Sequence, residues 1–316
     1  MKRITIKDIA RELGIHHSTV SRALRSSPDI NTETIERVTK YASEKGYQIN
    51  RNALHLRGTG SNIICVIVPN IHHSFFSNFV SIITRLAFAS GYIIAVFQSE
   101  ESIRQEREII NSIIQQNLAG VISSLSMETT DVSHFQKLEQ YKIPLICFDR
   151  VDKSLKKSSV VLDNEMALYN AVIELFNKGY SKIAYLSGNP TVHLFQERQK
   201  GYFKGLMQIG SDFKKCITIN GFTIEQGYEV TKQLYTEKNS PDAFIFDSHL
   251  LALGALNYIK HQPKLQQKQP GIASFGSYPW LSISLPNSLS IQQPEEKMAE
   301  ASFSLLKKAV EHPSDI

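Results

Sequence analysis

The chain has 316 residues, 42% of them hydrophobic and 21% charged. That is ordinary globular composition, with room for about two domains, and it excludes a disordered chain. The net charge of +5 is unevenly placed: the first 60 residues hold eleven Lys and Arg against six Asp and Glu, while the other 256 balance at 24 of each.

Such an imbalance points to a nucleic-acid-binding module joined to a neutral remainder, with a solvated basic surface as the plainer alternative. No apolar run approaches the roughly 18 residues that span a bilayer, so no membrane partner is expected. The opening residues Met1 to Asp8 hold no apolar stretch like that of an export signal, and the expected location is the cytoplasm. Cys65, Cys147 and Cys216 are far apart, each inside an apolar stretch, and read as reduced core residues.

Three short helices are expected at the start. Ile6, Ile9, Ala10 and Leu13 share one helical face, Thr5 can cap it, and Gly14 ends it. A tight turn through Ile15 and His16 leads to a second helix from about His17 to Leu24, with Val20 and Leu24 facing inward. Asn31 can cap a third, with Ile35, Val38 and Ala42 on its apolar face and Gly46 as its stop. Two helices joined by a tight turn form a helix-turn-helix, whose second helix enters the DNA major groove. The outward positions of that helix are read as His17, Ser18, Ser21, Arg22 and Arg25. An Arg can bond both acceptors of a guanine edge, and Ser and His reach base edges or phosphates.

The run Ile4-Thr5-Ile6-Lys7-Asp8-Ile9-Ala10-Arg11-Glu12-Leu13-Gly14-Ile15, then Ser18-Thr19-Val20-Ser21-Arg22-Ala23-Leu24, resembles the headpiece of the lactose-repressor (LacI/GalR) family of bacterial regulators. The resemblance continues through Asn31 to Val38 and Gly46-Tyr47. It implies base contacts from His17, Ser18 and Arg22, and phosphate contacts or bracing from Thr5, Thr19, Ser21 and Asn31. Three positions depart from the family pattern: His16 stands for Ser, Arg25 for Asn and Ile49 for Pro. Arg25 can add a phosphate contact. Asn50 to Arg57 resembles the hinge helix of the family, in which Leu56 takes the role of a minor-groove wedge. Gly58-Thr59-Gly60-Ser61 reads as a flexible joint.

From Ile63 the pattern becomes alternating strands and helices. Strands are expected at 63–68, 92–97, 120–123, 144–148, 159–162, 182–187, 216–219, 243–246 and 272–275. Helices are expected at 74–90, 103–117, 133–141, 164–178, 196–209, 223–236, 249–260 and 295–310. Strict alternation implies parallel sheets with helices on both faces, and so many strands imply two lobes with a ligand cleft at the strand C-termini. This is similar to the periplasmic-binding-protein-like core that follows the headpiece in the same family. The expected fold is therefore an all-α headpiece on a two-lobed α/β core. The domains are 1–49 (headpiece), 50–61 (hinge) and 62–316 (effector binding and dimerisation).

The resemblance implies an effector, a sugar or a derivative of one, in that cleft. Arg198 matches a sugar-contacting Arg, and Phe222 an aromatic that packs on a sugar ring; the alternatives are a structural salt bridge and core packing. Asp149 sits at a strand end and can accept hydroxyl hydrogen bonds. His73, Ser74 and Phe75 replace the usual Asn-Pro-Phe, Ser248 and His249 the usual Asn-Asp, and Gly276 the usual Asp. Asp247-Ser248-His249 does not read as a catalytic relay, because adjacent residues cannot easily aim at one another. His16-His17 and His72-His73 lack metal-ligand spacing, and Gly58-x-Gly60 lacks a nucleotide fingerprint. The expectation is a non-enzymatic regulator with no cofactor or metal. Its partners are a pseudo-palindromic DNA operator, a small-molecule effector and a second copy of itself. A transport receptor and a doubly wound enzyme are the competing classes.

Overall fold

The computed structural model describes residues 4–47, 61–263, 265, 269–276 and 288–312. The chain divides into two compact units, Met1–Gly60 and Ser61–Ile316. The expected hinge helix, with Leu56, lies outside the described residues.

The first unit contains α1 (Ile6–Leu13), α2 (His17–Ala23) and α3 (Thr32–Glu44). Thr5 and Asp8 cap α1 reciprocally: each side chain accepts from the backbone N–H of the other. Gly14, at φ +65°, closes α1 in the left-handed conformation that glycine adopts without strain. His16 caps α2 through its ring Nδ1, and Asn31 caps α3 by accepting from Thr34 N–H at 2.8 Å. Ile9, Val20, Ala23 and Val38 are fully buried where the helices meet.

The second unit has two parallel five-stranded sheets. In chain order the first lobe holds β1 (Ile63–Val68), α4 (Ser74–Ala89), β2 (Ile93–Gln98), α5 (Ile103–Gln116), β3 (Gly120–Ser123), α6 (Ser133–Gln140), β4 (Leu145–Phe148) and β5 (Ser159–Val160). The second holds α7 (Asn164–Asn177), β6 (Ile183–Ser187), α8 (His193–Gln208), β7 (Lys215–Thr218), α9 (Ile224–Thr236), β8 (Ala243–Phe246), α10 (His249–Lys260), β9 (Gly271–Phe275) and β10 (Leu289–Ile291). The last helix, α11 (Glu295–Glu311), returns to the first lobe, where Met298, Phe303 and Leu306 pack with α4 against β1, β3 and β4. The strand orders are β2-β1-β3-β4-β5 and β10-β9-β8-β6-β7.

The central strands β1, β6 and β8 are apolar on both faces because helices cover both, as a parallel sheet requires. The sequence had no signal for β10, a three-residue strand paired with β9. It also set α8 three residues late. Cys65 and Cys147 are buried, Cys216 is half-buried, and all three are free thiols.

Candidate functional site

On α2, His17, Ser18, Arg22 and the following Arg25 are exposed. Ser21 is not: it is buried at 8% exposure, because the turn of α2 that carries Val20 into the core takes its neighbour partly with it. Its hydroxyl accepts from Arg25 Nη2 at 3.3 Å, which corrects its reading as an outward position. The Ser18 hydroxyl is paired with His16 Nδ1 at 2.8 Å, and His16 and His17 rings lie 4.1 Å apart. Arg22 reaches Asp29 at 3.3 Å, with both side chains more than half exposed. That pair is weak and leaves the guanidinium accessible. Thr5 and Asn31 are exposed caps, and Thr19 is half-buried in the first turn of α2.

In the second unit a cavity of about 50 Å³ lies between the lobes. The first lobe contributes His73, Phe75, Phe76, Asp149 and Arg150 to it; the second contributes Leu194, Phe195, Arg198, Phe222 and Asp247. Gln293, on the return to the first lobe, completes the wall. The sequence placed His73, Phe75, Asp149, Arg198 and Phe222 in the cleft, and the structure brings these five together. Ser74, Ser248 and Gly276 are not in the wall. The Ser248 hydroxyl is buried and caps α10, accepting from Leu250 N–H at 3.3 Å. Gly276 offers only backbone: its N–H donates to Ile291 at the end of β10, and its φ is +97°.

Asp149 follows β4 in the left-handed region, at φ +57°, an uncommon conformation for a non-glycine residue. This turn aims its carboxylate into the cavity, where Gln293 Nε2 approaches it at 3.5 Å. Burial pushes the Asp149 carboxyl above its ordinary value, against the pull of Arg150 and Arg198. Arg150 is buried, and its Nη1 donates to both carboxylate oxygens of Glu101, at 2.8 and 2.6 Å. Burial opposes its charge, but Glu101 more than restores it.

Arg198 is 3% exposed and donates through Nε to Asn164 at 2.9 Å and through Nη1 to Asp247 at 2.8 Å. Its guanidinium carbon lies over the Phe275 ring, 3.3 Å from the centroid. The structural salt bridge therefore exists, and Arg198 still lines the cavity. Asp247, which sequence reasoning met only in a rejected relay, is the hub: it also accepts from Tyr185 Oη and Gly188 N–H, each at 2.8 Å. Phe222 packs edge-on to Phe195 at 5.8 Å and remains half-buried at the cavity wall.

Residues 5–50 match the family model of bacterial regulatory proteins, lacI family, and residues 61–315 match that of periplasmic binding proteins and the sugar-binding domain of the LacI family. The chain belongs to the LacI family. It joins a LacI-type DNA-binding domain to a sugar-binding domain, the plan of a transcriptional regulator. Among its relatives, catabolite control protein A of Priestia megaterium is 25% identical over 309 residues, covering 96% of this chain and 92% of that protein. The transcriptional repressor CytR of Escherichia coli (strain K12) is 28% identical over 305 residues, covering 96% and 88%. The lac repressor dimer bound to operator and the anti-inducer ONPF superposes with a TM-score of 0.84 at 20% identity, covering 99% of this chain and 94% of that one. The Cra regulator of Pseudomonas putida in complex with fructose 1-phosphate gives 0.73 at 20% identity, covering 80% and 93%. These two structures share the fold. Among the described residues, no helix is long and apolar enough to cross a membrane and no cluster of His, Cys, Asp and Glu could hold a metal ion.

Proposed function

We propose that this LacI-family regulator is a repressor whose homodimer binds a pseudo-palindromic operator under the control of a sugar-like effector held between the lobes. The observation that carries the effector reading is the convergence of aromatic and hydrogen-bonding side chains from both lobes on one cavity. Phe76, Phe195 and Phe222 offer faces and edges to the apolar side of a ring. Asp149, Gln293 and the Arg198 fork offer acceptors and donors for its hydroxyls. Because the wall belongs to two lobes, a ligand there binds their closed and open arrangements unequally, and differential affinity is what moves an equilibrium. In the headpiece, Arg22, His17 and Ser18 read bases, Thr5, Thr19, Arg25 and Asn31 hold phosphates, and Ser21 braces Arg25.

The test is selection of binding sites from random duplexes with the full chain, followed by anisotropy titration of the winning site with and without sugars. A two-fold symmetric site whose affinity changes with one sugar supports the proposal. Binding without sequence preference would overturn the operator reading. Selective binding that no sugar alters would overturn the effector reading.

A further inference from the structure

Arg22 on α2 and Arg25 at its exit are both exposed, but their partners differ in charge. Arg25 donates through Nη2 to the neutral Ser21 hydroxyl at 3.3 Å. Arg22 donates through Nη1 to the Asp29 carboxylate, also at 3.3 Å. Among the described residues no ion pair joins Arg25, so one arginine has a carboxylate beside it and the other has none.

A tight helix exit puts Asp29 in this place. Ser26 lies in the left-handed region at φ +51°. Ser26 N–H donates to the Ala23 carbonyl and Ser27 N–H to that of Arg22, at 3.0 and 3.1 Å, the two bonds that fold a chain back over the last turn of a helix. The Ser27 hydroxyl then gives its proton to Asp29 Oδ1 at 2.6 Å, which leaves Oδ2 for Arg22. The hydrogen bond from Ser27, and next that from its own backbone, hold the Asp29 carboxyl below its ordinary value, and the charge of Arg22 adds to the effect. Asp29 is therefore an anion at neutral pH, and it is exposed.

An anion beside a DNA-reading helix repels the DNA backbone, and that cost falls unequally on the contacts Arg22 can make. A phosphate drawn to Arg22 meets a second negative charge next to the guanidinium. A guanine edge presents neutral acceptors and escapes that repulsion. Resting on the base-reading role proposed above for Arg22, we propose that Asp29 is a specificity-determining residue that keeps Arg22 off phosphates and reserves it for a base. Arg25, with no carboxylate beside it, is left to hold the backbone.

The experiment is anisotropy titration of the full chain, over a salt series, with the duplex selected above and with a scrambled duplex of equal length. Asp29→Asn keeps an acceptor for Ser27 and so keeps the turn, and the unfolding midpoint should not move. It should bind the scrambled duplex about threefold tighter, the size of a screened surface pair, and leave the selected duplex little changed, so that selectivity falls by the same factor. Its log affinity for the scrambled duplex should fall more steeply with log salt, by about 0.9, the mark of one more phosphate contact. Asp29→Glu, which keeps the charge, should behave as the unaltered chain. Arg22→Ala should itself lower selectivity, and Asp29→Asn added to it should change neither selectivity nor salt slope further. Selectivity and slope unmoved by Asp29→Asn, the same changes in the absence of Arg22, or Asp29→Glu matching Asp29→Asn would overturn the role of Asp29 and leave Arg22 as a base reader. Selectivity unmoved by Arg22→Ala would overturn both.

Discussion

Arg22 is exposed on α2 and held only by a surface pair with Asp29, so it can exchange that partner for a base edge. Arg22→Ala should cost about 1–3 kcal/mol at one operator position and relax selectivity there. The check is anisotropy against single-base operator variants; a uniform loss on all sequences with a shallower salt dependence means a phosphate contact instead. His73 gives a pH prediction. Burial, then the charges of Arg150 and His249, lower its pKa from 6.5 to about 4. Between those values the unfolded chain binds the extra proton, so stability falls as pH drops through that window. In urea titrations from pH 7 to 4, His73→Asn should flatten this slope; an unchanged slope assigns it elsewhere. Arg198 and Phe222 were placed in the cleft by the family resemblance alone, and both line the cavity. The role of Ser248 was not legible, because a serine before a helix serves equally as cap or ligand, and only the 3.3 Å contact to Leu250 N–H shows the cap.

Helix starts decided more than helix existence. The helix α8 was read only from Gln196 onward, because its start at His193 carries no side-chain cap to mark it. That missing signal hid Leu194 and Phe195, which line the cavity between the lobes. At α2 the signal was present but unusual: His16 caps where a Ser is the stronger choice. His16→Ser should stabilise the first unit by about 0.5–1 kcal/mol, read from the denaturant midpoint of a headpiece-specific probe. Helix pairs in the second lobe are set by glycine. A Cβ at Gly201 would fall on the Glu165 carbonyl of α7, so α7 and α8 approach backbone to backbone. Gly201→Ala should therefore destabilise that lobe by about 1–3 kcal/mol in thermal or urea unfolding. A neutral result means the two helices separate freely.

At the scale of the molecule, the proposed control depends on the lobes being tied by few and adjustable contacts. Across the cleft, His73 faces His249 with ring centroids 6.1 Å apart, and the Arg150 guanidinium lies 5.9 Å from the Phe195 ring. An effector binding there at about a hundred times its dissociation constant should add near 2.7 kcal/mol of apparent stability, and Arg198→Ala should abolish the shift. A shift that persists in Arg198→Ala places the ligand elsewhere.

The sequence by itself determined the local and the periodic: the caps at Thr5 and Asn31, the stop at Gly14, the charge confined to the first 60 residues, and the alternation that forces two parallel sheets. Each of these depends on neighbours within a few positions, or on a repeat that survives without knowledge of partners. Only the tertiary structure decided which side chains meet. Asp247 gathers Arg198, Tyr185 and Gly188 from other elements of its lobe, and Arg150 is neutralised by Glu101, 49 residues away in the chain. Those bonds are directional and long-range, and no spacing along the chain encodes them.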